Sequence, residues 1–142
     1  MEQQSLPKTV RDLSAHLQVT FVQLLLPCKF CYSFLTTNDK LLFDLFGLQL
    51  VYRGGYPYGA CQPCLSSCCK IEFLMFYEDT LDGHGVVATT GKSLQEHPVR
   101  CVLCAKLLTP SEKDSVVHFG EKVHKVRGRF KAKCGLCRLA CI

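Results

Sequence analysis

Four short segments decide the fold of this chain: Cys28-Lys29-Phe30-Cys31, Cys61-Gln62-Pro63-Cys64, Cys101-Val102-Leu103-Cys104 and Cys134-Gly135-Leu136-Cys137. Two residues separate the cysteines of each segment, and this spacing lets a tight turn aim both sulfur atoms at one tetrahedral ion. Twenty-nine residues lie between the first and second segments, and again between the third and fourth. The spacing predicts two four-cysteine sites, each closed around one metal ion without an open catalytic position.

Zinc is the expected metal, so the predicted cofactor is two Zn²⁺ ions. Iron is the alternative, because rubredoxins resemble this pattern and tetrahedral sulfur ligation does not separate the two metals. One Cys-x-x-Cys pair alone would also fit a redox-active thiol, but four pairs at matched separations favour metal binding. Cys68, Cys69 and Cys141 lie outside the pattern, and we expect them to pack as small side chains.

The chain repeats itself. Every cysteine of the first two segments matches one of the last two at an offset of 73 residues, and other positions follow, including Thr36 with Thr109 and Lys40 with Lys113. A repeat of this kind indicates a duplicated module rather than one core of 142 residues. The repeat assigns Cys28, Cys31, Cys61 and Cys64 to one ion, and Cys101, Cys104, Cys134 and Cys137 to the other.

The predicted fold class is α+β: two small zinc-binding modules, each with short helices and a small antiparallel sheet, joined by a connector helix. We place the N-terminal module with its leading helix at residues 1–64, the connector at 65–80 and the C-terminal module at 81–142. Modules of this size have small cores, so the metal should add to their stability.

Local sequence signals predict where the helices and strands lie. Asn38 and Ser111 are candidate helix N-caps, and Gly47 and Gly120 stand where these helices should end. Thr9 begins a leading helix. Strand-like runs follow the glycines at 48–53 and 122–133.

The connector carries apolar residues on two faces from Leu65 to about Asp79, which predicts a helix buried on both sides. The segment from Asp82 to Gly91 is predicted to be a loop.

The net charge is +5, and it is uneven. Residues 1–80 carry six basic and seven acidic side chains, whereas residues 81–142 carry eleven basic and five acidic ones. From Lys125 to Lys133, five cations alternate with smaller or apolar residues, so on a single strand they would share one face. Such a face could protect an edge strand, contact an acidic partner or bind nucleic acid weakly.

Composition excludes several classes. No apolar run approaches the roughly 18 residues of a membrane helix, and the N-terminal stretch is polar, so we expect no secretory route. The eleven cysteines are therefore expected to be reduced thiols. The sequence has no phosphate loop and no supported catalytic triad, which argues against an enzyme.

The doubled cysteine pattern, with 36 residues between its halves, resembles the papillomavirus early protein six. Three strings are similar to that family: Val51-Tyr52-Arg53-Gly54, Arg100 directly before Cys101, and Val126-Arg127-Gly128-Arg129-Phe130. The resemblance covers nearly the whole chain and favours a cutaneous-type member.

The resemblance implies a viral adaptor, not an enzyme. Members of that family capture acidic helices with a Leu-x-x-Leu-Leu motif in a groove formed by both modules and the connector. By matching positions, the apolar groove residues here would be Phe30, Leu48, Val51, Leu65 and Ile71, and the cations facing the acidic side chains would be Arg53, Arg100 and Arg129.

The resemblance also implies partners and a location. A Mastermind-like Notch coactivator is favoured over the HECT-type ubiquitin ligase, in the host nucleus and cytoplasm, with effects on transcription, differentiation, apoptosis and innate immunity. Ala140 stands where a PDZ-binding tail has Ser or Thr, so no PDZ domain is expected. Weak DNA binding and weak self-association are secondary expectations.

Overall fold

The computed structural model describes residues 6–140. The chain divides into two compact units, Met1–Cys64 and Leu65–Ile142, called here the N-terminal and C-terminal units. Both mix helices with a small sheet, so the α+β prediction is confirmed. No helix within residues 6–140 is long and apolar enough to cross a membrane.

The N-terminal unit begins with helix α1 (Val10–Leu17), whose first turn is capped when the Thr9 side chain accepts a hydrogen bond from the Asp12 N–H. Helix α2 (Thr37–Leu45) follows the first cysteine pair. Strands β1 (Val51–Arg53) and β2 (Tyr56–Tyr58) then form an antiparallel hairpin. The second cysteine pair stands at the start of helix α3 (Gln62–Phe76).

The C-terminal unit adds strand β3 (Tyr77–Leu81), helix α4 (Gly83–Thr90) and a 3-10 turn at Leu94–Glu96. The remaining elements are strand β4 (Val99–Cys101), helix α5 (Pro110–His118), strands β5 (Val123–Val126) and β6 (Arg129–Ala132), and helix α6 (Gly135–Ala140). The four strands form one sheet in the order β3-β5-β6-β4, with β4 and β6 parallel and the other neighbours antiparallel.

The two units repeat the same local structure. In β1–β2, Val51 pairs with Tyr58 and Arg53 with Tyr56. In β5–β6 the equivalent pairs, 73 residues later, are His124 with Lys131 and Val126 with Arg129. The offset also relates α1 to α4 and α2 to α5. The structure therefore supports the duplication that the cysteine spacing predicts.

Each unit has its own buried apolar core. In the C-terminal unit the core combines side chains of α4, α5 and the sheet with two metal-ligand positions: Val86, Leu94, Val99, Cys101, Leu108, Val116, Val123, Phe130, Ala132 and Cys134. Because Cys101 and Cys134 belong to this core, a metal ion bound by them would cross-link core residues and stabilise the folded unit.

Three local predictions are wrong. Helix α2 is capped by Thr36 rather than Asn38, and α5 by Thr109 rather than Ser111, because each threonine forms a capping box with an acidic residue three positions later. The segment predicted as a loop after Asp82 is helix α4, since the Asp82 carboxylate caps it by accepting the Gly85 N–H at 2.7 Å.

The connector also differs from its prediction. Helix α3 ends at Phe76, and the chain continues as strand β3 because it pairs with β5. Of the residues of α3, all of which are described, only Leu65 is buried, whereas Leu74 is 81% exposed. The predicted burial on two sides is therefore wrong, and α3 leaves an apolar surface open.

The basic run also does not form one strand. Arg127 and Gly128, both at positive φ, make a tight turn between β5 and β6. Directly opposite residues in an antiparallel pair share a face. Lys125 lies opposite Phe130 and Lys131 lies opposite His124, so Lys125 and Lys131 point to different faces. The predicted single cationic face from Lys125 to Lys133 is therefore wrong.

Candidate metal centres and peptide-binding residues

The first cysteine of each site lies in a turn that offers N–H groups to sulfur. The Tyr32 N–H donates to the Cys28 carbonyl at 3.0 Å, and the Phe30 N–H approaches the Cys28 sulfur at 3.4 Å. The second unit repeats this turn, with Ala105 donating to the Cys101 carbonyl at 3.0 Å and Leu103 approaching the Cys101 sulfur at 3.4 Å. Such N–H contacts stabilise thiolate sulfur.

Two clusters of four cysteines result, one in each unit. Within each cluster, all four sulfur atoms lie within 4.8 Å of one another, and the members are Cys28, Cys31, Cys61 and Cys64, and Cys101, Cys104, Cys134 and Cys137. The sulfur atoms of Cys31 and Cys61 lie 3.8 Å apart, and those of Cys104 and Cys134 lie 3.7 Å apart. A tetrahedron with zinc–sulfur bonds of about 2.3 Å has edges of about 3.8 Å. The donor set therefore fits a zinc ion in each unit.

The protein environment prepares one thiol in each cluster to ionise. Burial opposes ionisation of Cys28, but backbone N–H groups of Cys31, Cys61 and Phe30 outweigh it and lower the pKa of Cys28 to about 6. A hydrogen bond from Cys104, helped by the N–H groups of Cys134 and Leu103, lowers the pKa of Cys101 to about 4. Because zinc binds thiolates, Cys28 and Cys101 are the ligands ready to receive a metal at neutral pH. The pKa values of Cys61, Cys64, Cys104 and Cys137 are raised, so these thiols would release their protons as the metal binds.

The two sites differ in solvent access. Cys31 is exposed and only Cys28 is buried in the first site, whereas Cys101 and Cys134 are both buried in the second. Solvent-borne chelators and oxidants therefore reach the N-terminal site more readily.

In each unit, an acidic side chain links the start of a helix to the backbone next to a metal-binding cysteine. In the N-terminal unit the Asp39 carboxylate accepts the Thr36 N–H at the start of α2 and the Gln62 N–H beside Cys61. In the C-terminal unit Glu112 does the same with Thr109 and with Gly135, beside Cys134. Sequence analysis missed this role, although the repeated threonine-to-acid spacing could have revealed it.

The other cysteines of α3, Cys68 and Cys69, are partly buried and belong to neither cluster. Burial raises the pKa of the Cys69 thiol to about 11, as befits a packing side chain. Cys141 lies outside the described residues.

Four of the predicted peptide-binding residues lie in the N-terminal unit. Phe30 is 44% exposed, and Leu48 and Val51 are partly buried. Arg53 is exposed, donates to the Lys29 carbonyl at 3.3 Å and lies over the Tyr58 ring. Phe30 thus belongs to the first zinc-binding turn, Val51 and Arg53 belong to strand β1, and Leu48 precedes that strand.

The other four lie in the C-terminal unit. Leu65 and Ile71 belong to α3, the first buried and the second 55% exposed. Arg100 donates to the Ala105 carbonyl at 2.9 Å, and Arg129 is exposed. Arg100 pairs with Lys131 across parallel strands β4 and β6, so Arg129 is its diagonal neighbour on the same face.

The charge of Arg129 acts on Arg100. Burial and then the nearby charge of Arg129 lower the pKa of Arg100. Lys131, the third cation of this face, is paired with Glu72 of α3 at 2.8 Å. The charge of Arg129 therefore acts on Arg100 across this face, and a carboxylate placed near both would reduce that repulsion.

Comparisons with known proteins agree with this arrangement. A family model described as Early Protein (E6) matches residues 28–137. Protein E6 of human papillomavirus type 1 is 43% identical over 135 residues, covering 95% of this chain and 96% of the relative. Protein E6 of human papillomavirus 25 is 37% identical over 136 residues, covering 96% of this chain and 84% of the relative.

One solved structure is also similar: the solution structure of the C-terminal zinc-binding domain of the HPV51 oncoprotein E6. It is 30% identical, covers 45% of this chain and 84% of its own, and has a TM-score of 0.41.

The fold and the paired four-cysteine sites define a small protein built from two metal-binding modules. The chain belongs to the papillomavirus E6 family, and the resemblance found in the sequence is confirmed.

Proposed function

We propose that this E6 protein is a viral adaptor, not an enzyme, which binds acidic host helices that carry a Leu-x-x-Leu-Leu motif. The main observation in support of this proposal is that Arg100 and Arg129 lie on one face of strands β4 and β6. Arg129 makes no ion pair among the residues that the structure describes. Guanidinium groups suit bidentate contacts with carboxylates.

Each unit also exposes an apolar side chain that the resemblance assigns to the peptide surface. Ile71 of α3 and Phe30 of the first zinc-binding turn expose about half of their side-chain surface, 55% and 44%. An amphipathic helix binds when its leucines cover such surface while charged groups align its polar side. Leucines of the host helix would therefore contact these residues, and its acidic side chains would contact the arginines.

We further propose a Mastermind-like Notch coactivator as the favoured partner, in the host nucleus and cytoplasm, with the HECT-type ubiquitin ligase second. The effects on transcription, differentiation, apoptosis and innate immunity belong to the same proposal. The split of the basic run between two strands and a turn removes the argument for a continuous nucleic-acid surface, so weak DNA binding ranks behind peptide binding.

The test is binding of the zinc-loaded chain to a coactivator peptide and to a ligase peptide, measured by isothermal titration calorimetry. Each peptide has a control in which alanine replaces the three leucines. We expect micromolar or tighter binding, stronger for the coactivator peptide and lost with alanine. Equal binding of the leucine and alanine peptides would contradict the proposal. No binding of either peptide by correctly folded zinc-loaded protein would also contradict it.

A further inference from the structure

A separate apolar pocket opens on the C-terminal unit, between helix α3 and the turn that bears Cys101 and Cys104. Its cavity measures about 350 Å³, within the range of roughly 300–1,000 Å³ typical of ligand pockets. Phe73 and Leu74 form the wall on α3, and Val102 and Leu103 form the wall on the turn. Leu74 is 81% exposed, so this wall presents an apolar side chain to solvent.

Basic groups surround the opening. Lys70 and Lys133 line the pocket, and both side chains are exposed. The ion pairs of residues 6–140 involve other cations, so neither lysine has a carboxylate partner there. The carboxylate of Glu121, near Lys133, is occupied by Arg138 at 3.1 Å. The rim of the pocket therefore carries the positive charges of Lys70 and Lys133, and no carboxylate among residues 6–140 pairs with them.

A hydrogen-bonded chain fixes the third rim residue, His124. Its Nδ1 lies 2.9 Å from the Thr80 hydroxyl, which in turn lies 2.6 Å from the Tyr77 hydroxyl. The imidazole also meets the Phe73 ring edge to face, with 5.2 Å between centroids. The pocket is thus held in place by packed and hydrogen-bonded side chains rather than by a mobile loop.

This pocket is distinct from the peptide surface proposed above. At about 100° per residue, Lys70 and Leu74 lie on roughly the opposite side of α3 from Leu65 and from Glu72, whose carboxylate pairs with Lys131, the neighbour of the two arginines on β6. Arg100 and Arg129 do not line the pocket. A ligand in the pocket would therefore leave the arginine face free.

We propose that the pocket is a second peptide-binding site, which takes one large apolar side chain of a partner segment flanked by acidic residues. The apolar walls would bury the anchor, as pockets at protein interfaces do. Carboxylates on both sides of the anchor would then reach Lys70 and Lys133, giving the charge complementarity that orients a peptide. The walls offer few hydrogen-bonding groups, which suits an apolar anchor better than a nucleic-acid base edge.

The two surfaces together let one chain hold two acidic segments at once. An adaptor with a second site of this kind could connect two host proteins. It could also bind two segments of one protein, and the overall affinity would then rise because the second binding step is intramolecular. This site does not depend on the Leu-x-x-Leu-Leu proposal, because its residues and its ligand differ.

The test uses the full zinc-loaded chain and four acidic nonapeptides that carry Asp and Glu on both sides of a central Leu, Met, Phe or Trp. Binding is followed by fluorescence anisotropy, and its location by amide chemical-shift changes in ¹⁵N-labelled protein. Leu74→Glu places a charge in the wall at an exposed position. Met75→Glu is the matched control, because Met75 is the next residue of α3, is also exposed and does not line the pocket.

We expect at least one peptide to bind and to shift the amides of Val102 and Leu103. Leu74→Glu should weaken binding about tenfold or more, and Lys70→Glu should weaken it and reduce its salt dependence. Met75→Glu and Arg100→Glu should leave it unchanged.

Several results would overturn the inference. No binding by any of the four peptides, or equal binding by Leu74→Glu, would remove the site. Binding lost in Arg100→Glu would move the peptide to the arginine face and leave the adaptor proposal standing. Self-association that Leu74→Glu abolishes, without peptide binding, would make the pocket an interface between copies of this chain.

Discussion

Lys40 and Lys113 occupy the same place in the two units, since each donates its ammonium to a backbone carbonyl sixteen residues earlier. The distances are 3.0 Å from Lys40 to Leu24 and 2.7 Å from Lys113 to His97. Lys40 is only 1% exposed and also donates to the Phe21 and Val22 carbonyls. Burial lowers the pKa of Lys40, and these carbonyl dipoles replace the water that the ammonium has lost.

Replacing the buried ammonium should therefore destabilise each unit unequally. Lys40→Met leaves three carbonyls without this donor, so we expect a loss of about 2–4 kcal/mol in the free energy of unfolding. Lys113→Met should cost less, because the Lys113 Nζ donates to one carbonyl, that of His97, within residues 6–140. Urea denaturation measures both, with the exposed Lys122→Met as control. A Lys40→Met protein as stable as that control would contradict the assigned role.

Metal removal should unfold the chain. We expect elemental analysis to find two zinc ions per chain, and a chelator to remove the helical circular dichroism signal, because the ligands Cys101 and Cys134 belong to a core. Iron in the purified protein would instead favour the rubredoxin-like alternative. A spectrum unchanged after complete removal of metal would show that the cores fold without it.

The N-terminal site should release its metal first. Its ligand Cys31 is exposed, whereas Cys101 and Cys134 are buried in the other site. Under limiting chelator, we expect alkylation followed by mass spectrometry to label Cys31 before any ligand of the C-terminal site. Equal rates at both sites would show that exposure does not control release.

Glu112 should make stability depend on pH. Although burial opposes its ionisation, hydrogen bonds from Thr109 and Gly135 and the charge of Lys106 lower the pKa of Glu112. A lowered carboxyl pKa means that the stabilisation is complete above the unfolded value of about 4.3 and is lost as the pH falls through the folded value.

Glu112→Ala should therefore cost about 2 kcal/mol at neutral pH. Because acid also protonates the cysteine ligands, wild type and variant are compared by thermal unfolding at the same zinc saturation. The stability gap should narrow as the pH falls below about 4.3. A gap that widens on acidification would reverse the assigned sign.

The sequence alone predicts the metal sites and the duplication, because tight turns and an exact offset are local properties. The same offset would also have revealed α4: adding 73 to the bounds of α1 gives Gly83–Thr90, and Asp82 takes the capping place of Thr9. The glycines at positions 83, 85 and 91 led to the wrong prediction of a loop, because glycines indicate a loop when the repeat is not considered.

Other features depend on tertiary contacts. The basic run alternates as a strand does, yet the positive φ of Arg127 turns it into a hairpin. Local pattern could not predict that Tyr77 begins a strand, since β3 exists through its pairing with β5. Which side of α3 stays open likewise depends on packing rather than on helical periodicity.

The most direct test of the adaptor proposal is a charge exchange at Arg100. Binding of an acidic Leu-x-x-Leu-Leu peptide is measured by fluorescence anisotropy with wild-type protein, Arg100→Glu and the exposed control Lys92→Glu. We predict that Arg100→Glu weakens binding about tenfold or more, that Lys92→Glu does not, and that a peptide with lysine in place of its acidic residues regains affinity for Arg100→Glu. Equal affinity of all three folded proteins for the acidic peptide would contradict the proposal.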